Sequence, residues 1–414
     1  VDSMPSEQAR LDLITRLVSD INEVKDMDLL LERILSAVRR LLNADAGCIY
    51  VKEGETLHCS QVQNDTLNRR SGKDRRFSYN ALSAHCNNGS VAGYAAEHNR
   101  TVNIPDVYDL DPSAPYTFDR SHDRATAYRT RSMLTVPINN HRGEVLAVLE
   151  AVNALDPGGR VVPFSASDEG LVLNFAASAA LALERAHMTR SLILRMISMA
   201  ELRDPAETGP HANRVGAYSA EIYEEWAKRR GLPPDQIETE KDALRMAAML
   251  HDVGKVAISD LILKKPSPLD INEFETIKSH TYLGARLFRD MSSDFDEIAT
   301  EVAMNHHERW DGKGYPGFMD PSTKRPMPGF EMRNGLPRPK KGEEIPLFGR
   351  IVAVADVYDA LSSARSYKER WDEDRVLHEI ERSAGTQFDP EVVESFFGCL
   401  DVMKAAGRRY PDPK

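Results

Sequence analysis

The sequence predicts two domains of different fold class: an α+β domain with an antiparallel sheet and flanking helices, and a nearly all-α domain joined to it by one long helix. Three observations predict this order. Short β-type runs between residues 46 and 153 lie between helical patterns. Residues 168–203 contain no proline and a single glycine. Beyond them the apolar spacing stays helical, apart from a Pro/Gly-rich stretch at residues 311–346.

The first domain begins with apolar residues at helical spacing across residues 11–42, so helices precede its strands. Four strand-like runs follow, at residues 46–51, 56–62, 131–138 and 145–153. A turn at residues 141–144 separates the last two runs. This pattern predicts an antiparallel hairpin in a half-buried sheet.

The long helix is predicted to begin at Ser167-Asp168-Glu169, because serine and acidic residues suit a helix N-terminus. At 1.5 Å per residue it would extend roughly 50 Å, which is longer than one domain. An apolar stripe near the 3.5-residue period follows its second half: Met188, Leu192, Ile193, Met196, Ile197 and Met199. Two interpretations stay open, a parallel coiled coil between two chains or a connecting helix packed against its own domains.

Composition narrows the possible partners. The net charge of −11 argues against general affinity for nucleic acid polymers or for anionic membrane surfaces. No run approaches the roughly 20 apolar residues of a membrane span. Residues 1–5 show no signal-peptide pattern, so the expected location is the cytoplasm. The four cysteines show no metal-ligand or disulfide spacing. An anionic substrate would need local positive charge from side chains or metal ions.

The second domain concentrates metal-type ligands. The pair His251-Asp252 follows an apolar helical run, and the pair His306-His307 also follows such a run. Adjacent residues on a helix point in different directions, so each pair can converge on metals if its members bind different ions or if the helix ends there. Asp356 lies among small apolar residues, where an unpartnered carboxylate is costly. Imidazole and carboxylate suit iron, manganese or zinc, and the lack of nearby cysteine argues against a thiolate zinc site.

Residues 12–187 resemble a GAF sensor domain. The resemblance rests on residues 89–97, 102–108 and 128–138, and on Asn153, Phe164, Asp168 and Glu169. Ala154 stands where GAF domains that bind cyclic nucleotides have a lysine, which removes the expected salt-bridge partner of Asp168. The resemblance implies a sensor domain at residues 1–187 that binds a small ligand or none and serves as a dimerising platform. Residues 188–204 would be the helical linker.

Residues 200–398 resemble the HD-GYP domain, a branch of the HD metal-dependent phosphohydrolases. The matching strings are His251-Asp-Val-Gly-Lys255, His280 in its local context, residues 306–316 and residues 350–361. The resemblance implies an all-α domain at residues 205–414 that hydrolyses the bacterial second messenger cyclic di-GMP with two or three divalent metals, iron or manganese, and no organic cofactor. The implied ligands are Glu207, His211, His251, Asp252, His280, His306, His307 and Asp356. Glu207, four residues before His211, favours a third metal.

Further residues have implied roles. Asp252 would bridge metals, and Lys255 would contact the attacking water or the phosphate, unless it is a surface lysine. Arg365 and Lys368 would bind the phosphodiester. Tyr315 would contact substrate or a partner protein, or order its loop. A basic segment at residues 317–342 either covers the site or is a surface insertion. The basic cluster at residues 69–76 is a solvated loop or a partner-binding patch.

The predicted function is therefore hydrolysis of cyclic di-GMP to pGpG and/or GMP, regulated by the GAF domain and its unknown ligand, if any. A homodimer through the GAF domain and linker helix is expected. Two alternatives remain: a hydrolase of another cyclic dinucleotide, such as a mixed GMP–AMP, and a non-catalytic cyclic di-GMP receptor that acts through protein contacts.

Overall fold

The computed structural model describes residues 7–71, 83–201, 208–288, 293–363 and 371–412. The chain divides into two compact units, residues 1–189 and residues 190–414. The finer predicted boundaries, at residues 187 and 205, stay predictions. Among the described residues, no helix combines the length and the apolar character that crossing a membrane requires.

The first unit is an antiparallel sheet with helices before, between and after its strands. Its elements are α1 (Glu7–Glu23), α2 (Met27–Leu42), β1 (Ala44–Glu53), β2 (Thr56–Asn64), α3 (Asp65–Ser71), β3 (Ser83–His85), α4 (Val91–His98), β4 (Val102–Ile104), α5 (Ser121–Thr126), β5 (Met133–Asn139), β6 (Val145–Leu155), β7 (Val161–Val162) and α6 (Ala166–Glu201). The strand order is β3-β2-β1-β6-β5-β4, and β7 pairs with β6. This arrangement confirms the predicted α+β class.

The β5–β6 hairpin is antiparallel as predicted, with Met133 opposite Val152. The prediction of a half-buried sheet is wrong, because most residues of both strands are buried. One face packs on α1, α2 and α6 around Ile34 and Phe175. The other face packs on α4 and the following loops around Val148. Helices cover one face and a helix with loops covers the other, which explains the continuous apolar run in β6.

Two local side-chain contacts accompany this sheet. Asn153, at a positive φ of 59°, donates to the Tyr128 hydroxyl at 2.9 Å and accepts from the Arg131 amide at 2.7 Å. The two sulfurs of Cys48 and Cys59 lie 2.9 Å apart across β1 and β2. A register shift between Ile49 and Tyr50 brings these cysteines together, so their separation in sequence did not predict the contact.

Helix α6 begins within two residues of the predicted start and continues to Glu201, where the described range ends. The apolar stripe of its second half divides between two environments. Ile193 and Ile197 are buried in the core of the second unit. Met188, Leu192 and Met199 are between 51% and 62% exposed. The choice between a coiled coil and a packed connecting helix therefore stays open, with the exposed residues available for the first.

The second unit is built almost entirely of helices. Its elements are α7 (Gly209–Arg229), α8 (Pro234–Ala248), a 3-10 turn (Val253–Ala257), α9 (Asp260–Leu263), α10 (Ile271–Lys278), α11 (His280–Ala285), a 3-10 turn (Arg286–Phe288), α12 (Asp294–Asn305), β8 (Met319–Asp320), β9 (Arg325–Pro326), a 3-10 turn (Gly342–Glu344), α13 (Leu347–Ser362), α14 (Glu373–Arg382), α15 (Pro390–Gly398) and α16 (Leu400–Gly407). Its core lies between α7, α8, α12, α13 and α15. The predicted all-α class is confirmed.

The basic segment at residues 317–342 forms a short hairpin, β8–β9, and a loop. Its two ends attach to the residues on either side of the His306-His307 pair. The Gly317 amide donates to Glu308 at 2.6 Å, and the Lys340 ammonium donates to the Asn305 side chain. The segment therefore supports the end of α12 from outside, and a role in covering the site stays a prediction.

Candidate metal centre

The His251-Asp252 pair lies just beyond the end of α8. The buried residues Leu244 and Ala247 anchor this helix, which ends at Ala248. Tight turns follow, with the His251 amide bonded to Ala248 and the Val253 amide bonded to Leu250. Because the regular helix has ended, the two adjacent side chains can point toward a common centre.

His280 is the first residue of α11 and is fully buried. Its helix lies against the 3-10 turn that follows Asp252. A side-chain carbon added at Gly254 would lie 2.0 Å from the His280 carbonyl oxygen and 2.4 Å from the Gly284 amide. Glycine is therefore needed at residue 254 so that the two backbones can approach, which brings His280 Nε2 to 3.1 Å from Asp252 Oδ1.

His306 and His307 follow the end of α12 in the same way that His251-Asp252 follows α8. Their ring centroids are 4.1 Å apart, and the His280 ring lies 5.4 Å from His306 and 5.1 Å from His307. His306 Nε2 lies 3.6 Å from Asp252 Oδ1. Asp252, His280, His306 and His307 form one group whose donor atoms lie within 4.8 Å of one another.

A second group consists of His211, His251 and Asp356. His211 is in the first turn of α7, where Thr208 caps the helix and Pro210 also lies in the first turn. Asp356 projects from α13, with its Oδ1 at 3.6 Å from His211 Nε2 and 3.9 Å from His251 Nε2. These three donor atoms also lie within 4.8 Å of one another.

Asp252 connects the two groups. Its Oδ1 faces His280 at 3.1 Å and His306 at 3.6 Å, whereas its Oδ2 lies 3.3 Å from His251 Nε2. The Lys255 ammonium also lies 2.9 Å from Oδ2. The Asp252 carboxylate therefore faces both groups, each with a different oxygen, as a bridging ligand must.

The outer nitrogens of four histidines are held in place. Nδ1 of His251 lies 2.8 Å from the Ala248 carbonyl, Nδ1 of His280 lies 2.7 Å from the Ile277 carbonyl, and Nδ1 of His306 lies 3.1 Å from two carbonyls of α12. Nδ1 of His211 lies 2.8 Å from the Asp359 carboxylate. Because Nδ1 must be the protonated nitrogen in these bonds, Nε2 carries the lone pair, as a metal ligand must. The donor set therefore fits divalent metal ions.

Asp359 and Arg214 form a support that the sequence analysis missed. Asp359 is 1% exposed and accepts from His211, from Arg214 Nε at 2.6 Å and from a second Arg214 nitrogen at 2.9 Å. Burial alone would raise the pKa of Asp359, but the bonds from His211 and Arg214 hold it below its usual range. Both residues lie three positions from a candidate ligand on the same helix, and this spacing was the available signal.

Electrostatics in the cluster favour the ligand forms of these groups. Burial would raise the pKa of Asp252, but Lys255 and His251 hold it well below its usual range. Burial lowers the pKa of His306. The pKa of His307 is lowered further, first by burial and then by repulsion from the adjacent His306 ring when that ring is charged. An ionised carboxylate and neutral imidazoles are the states that bind metals.

The other predicted site residues fall into two sets. Lys255 and Tyr315 are beside the cluster, and the Tyr315 ring centroid is 4.9 Å from that of His307. Burial, followed by the Asp252 charge, raises the pKa of the Tyr315 hydroxyl. Glu207, Arg365 and Lys368 lie outside the described residues.

The first unit contains a cavity of about 210 Å³ between the sheet and the loops before β5. Cys48, Tyr50 and Glu150 line it from the sheet, and His122 lines it from α5. Burial raises the pKa of Glu150 to about 7. Asp168, which lacks the lysine partner discussed above, accepts from the backbone amide and the hydroxyl of Ser165 at the start of α6.

Comparisons with known proteins match both units. The GAF domain family model matches residues 26–183, the HD domain model matches residues 208–361, and a second HD domain model matches residues 332–392. A cyclic di-GMP phosphodiesterase of Thermotoga maritima is 40% identical over 220 residues, which cover 53% of this chain and 51% of that protein.

Two further relatives carry related names. The 3′3′-cGAMP-specific phosphodiesterase 2 of Vibrio cholerae is 34% identical over 224 residues, 54% of this chain and 37% of that protein. A cyclic di-GMP phosphodiesterase response regulator of Xanthomonas campestris is 40% identical over 185 residues, 44% of this chain and 43% of that protein. The chain spans about half of these relatives or less. It nevertheless joins two recognised modules, a GAF domain at residues 26–183 and an HD domain at residues 208–361.

Proposed function

We propose that this protein is a metal-dependent phosphodiesterase that hydrolyses cyclic di-GMP, to pGpG and/or GMP, under the control of its GAF domain. The observation that carries the proposal is the position of Asp252, whose two oxygens face two separate groups of buried ligands. The names of the Thermotoga and Xanthomonas relatives support the choice of cyclic di-GMP.

The two groups would hold the metals. Asp252, His280, His306 and His307 would bind one ion, and His211, His251 and Asp356 would bind another, with Asp252 shared. Divalent metals bound there would polarise phosphate oxygens and acidify a water molecule at neutral pH. Imidazole and carboxylate donors suit iron or manganese, which we propose as the ions.

Glu207 would provide a ligand for a third metal ion. It precedes His211 by four positions, and His211 belongs to the second group, which has three ligands among the described residues. Glu207→Ala should lower the metal content per chain and favour pGpG as the end product. Metal analysis of anaerobically prepared protein, together with product separation, tests this assignment, and unchanged metal content and products would contradict it.

Protein side chains would position the substrate. The Lys255 ammonium lies on the Asp252 side of the centre and is only 16% exposed, so its charge is directed at the buried cluster and not at solvent. We propose that it binds a phosphate oxygen or the attacking water, as a compact cation does. Arg365 and Lys368, three residues apart, would bind the phosphodiester, and Tyr315 would contact the substrate beside His307.

Regulation would pass through the first domain and the long helix. The cavity beside Glu150 is a place for a small ligand, whose identity stays open. The exposed residues Met188, Leu192 and Met199 of α6 repeat at intervals of four and seven. This spacing fits a parallel coiled coil with a second copy, so a homodimer is part of the proposal.

Two rival functions have specific support. The Vibrio relatives named 3′3′-cGAMP-specific phosphodiesterases favour a mixed GMP–AMP dinucleotide as an alternative substrate. A receptor that binds cyclic di-GMP without turnover would need the same pocket. The complete set of candidate ligands in the described residues disfavours this second rival, since a receptor has no need for it.

One assay separates the three functions. Protein loaded anaerobically with iron or with manganese is incubated with cyclic di-GMP and with 3′3′-cGAMP, and the products are separated by anion-exchange chromatography. Conversion of cyclic di-GMP supports the proposal, preferential conversion of 3′3′-cGAMP supports the first rival, and saturable binding without products supports the receptor. Asp252→Asn should abolish turnover, whereas Asp260→Asn, at an exposed ion pair with Lys264, is the matched control.

A further inference from the structure

An aromatic and cationic patch lies beside the metal centre on its α10 side. It consists of Phe274, Lys278 and Tyr315. The Tyr315 ring contacts His307, at 4.9 Å between centroids, and Phe274, at 6.4 Å and an interplanar angle of 78°. The Lys278 ammonium lies 4.9 Å from the Phe274 centroid and 5.5 Å from the Tyr315 centroid. The patch therefore leads outward from a candidate metal ligand through two ring contacts.

Packing alone does not account for this patch. Helix α10 contains no buried residue, and Phe274 is 47% exposed although it is a large apolar side chain. The Lys278 ammonium lies over the two rings, and its carboxylate partner is Glu275, which is 60% exposed. An ion pair at such an exposed position contributes little stability, so Lys278 can exchange this partner for a ligand at small cost.

We propose that Phe274 and Lys278 form the base-binding subsite of the phosphodiesterase and select guanine. This inference rests on the proposed function. A phosphodiester held at the metals places its attached nucleoside beside the centre, and the exposed Phe274 ring offers a flat apolar surface on which a purine stacks. The Lys278 ammonium donates to guanine O6 and N7. Adenine has an amino donor in place of O6, so it leaves this ammonium without its second acceptor.

Steady-state kinetics of the metal-loaded full chain test the stacking role. Loss of one stacked base weakens binding by roughly 5- to 150-fold, so Phe274→Leu should raise KM for cyclic di-GMP within this range while kcat changes little. Leucine keeps an apolar side chain but has no flat face. Phe274→Trp should keep KM near the wild-type value, because tryptophan also has a flat aromatic face. Ile271→Ala is the control, since Ile271 is 83% exposed on the same helix.

The selectivity role has its own readout. The inhibition constant of cyclic di-AMP is measured against cyclic di-GMP hydrolysis in each variant. Lys278→Met should weaken cyclic di-GMP binding by roughly 5- to 150-fold, the range for one bidentate base contact, and should raise the inhibition constant of cyclic di-AMP by a smaller factor, because adenine offers this ammonium only N7. Lys278→Arg should retain the preference for guanine, because its fork also reaches O6 and N7.

The outcomes distinguish this inference from the function on which it rests. Wild-type protein that neither binds nor hydrolyses a cyclic dinucleotide overturns both. Wild-type protein that hydrolyses cyclic di-GMP, with an unchanged KM in Phe274→Leu and Lys278→Met, overturns only the subsite. A fall in kcat together with a loss of bound metal in these variants also overturns it, because that result assigns the patch to structural support of the centre.

Discussion

Gly254 offers the sharpest test of how the metal centre is assembled. A methyl group at this position would lie 2.0 Å from the His280 carbonyl oxygen, and ordinary contact begins at 3.4 Å. Gly254→Ala therefore forces the 3-10 turn after Asp252 and the start of α11 apart by about 1.4 Å, the difference between these two distances. The obstacle is backbone on both sides, so no flexible side chain can relieve it.

The displacement falls on the contact between Asp252 and His280, which are now 3.1 Å apart. A misplacement of about 1 Å in a catalytic arrangement can lower the rate roughly 100-fold. Overpacking of a buried contact costs roughly 1–3 kcal/mol of stability. We expect Gly254→Ala to lose much of its bound metal and about 99% of its phosphodiesterase activity, while a cooperative unfolding transition remains.

Gly284→Ala is the matched control across the same contact. Its added carbon would lie 3.2 Å from the Gly254 amide and 3.4 Å from the Ala303 side chain, which small adjustments can accommodate. Metal content by elemental analysis, urea unfolding and cyclic di-GMP turnover are measured for both variants. A Gly254→Ala protein with wild-type metal content and turnover would refute the reasoning, because His280 would then not depend on this close approach.

Three further perturbations test other parts of the molecule. Asp359→Asn removes the carboxylate that holds His211 Nδ1, so metal titration should show roughly 10- to 100-fold weaker binding of one ion per chain; unchanged affinity would exclude a supporting role. Burial raises the pKa of Glu150 from 4.5 to about 7, so its protonated form is favoured in the folded GAF domain. Its contribution to the free energy of unfolding is complete below pH 4.5 and falls by roughly 3 kcal/mol as the pH rises to 7. Glu150→Gln should remove this loss, and amide exchange in β1 and β6 at pH 5.5 and pH 8, corrected for intrinsic rates, checks it; an equal pH dependence in both proteins would contradict the prediction. Leu192→Glu should convert the proposed dimer to monomers in light scattering, whereas Leu173→Glu, on the same helix but outside the stripe, should not; a wild-type monomer would remove the dimer from the proposal.

The sequence predicted those features that depend on local pattern. The long strands carry many residues at one period, so their ends were predicted within a few residues, and the start of α6 was predicted as closely. The strands β3, β4 and β7 contain three residues or fewer and present no period to recognise. The contact between Cys48 and Cys59 depends on a register shift in β1–β2, which composition does not reveal.

The candidate site likewise contains residues that local sequence pattern predicted and contacts that only tertiary packing creates. Four of its seven described ligands, the pairs His251-Asp252 and His306-His307, were visible in sequence after apolar helical runs, and Asp356 stood out as a carboxylate among small apolar residues. His211 and His280 were implied only by the resemblance to the HD-GYP domain. The bond between His211 and Asp359 joins residues 148 positions apart, and only the packing of α7 on α13 creates it. Likewise, the subsite at Phe274 and Lys278 depends on where the loop that carries Tyr315 packs, which no local pattern specifies.

Helix ends explain why these histidines point inward. The last carbonyls of a helix have no partner within it. His251, His280 and His306 each follow the end of a helix, and each places Nδ1 against a carbonyl of the last turn of that helix: Ala248 of α8, Ile277 of α10, and Val302 or Ala303 of α12. This bond fixes the orientation of each ring and directs Nε2 toward the centre. The residues before each histidine therefore contribute to ligand orientation through backbone atoms, which side-chain substitution cannot remove. His211, in the first turn of α7, uses a side chain in place of such a carbonyl, because its Nδ1 lies 2.8 Å from the Asp359 carboxylate.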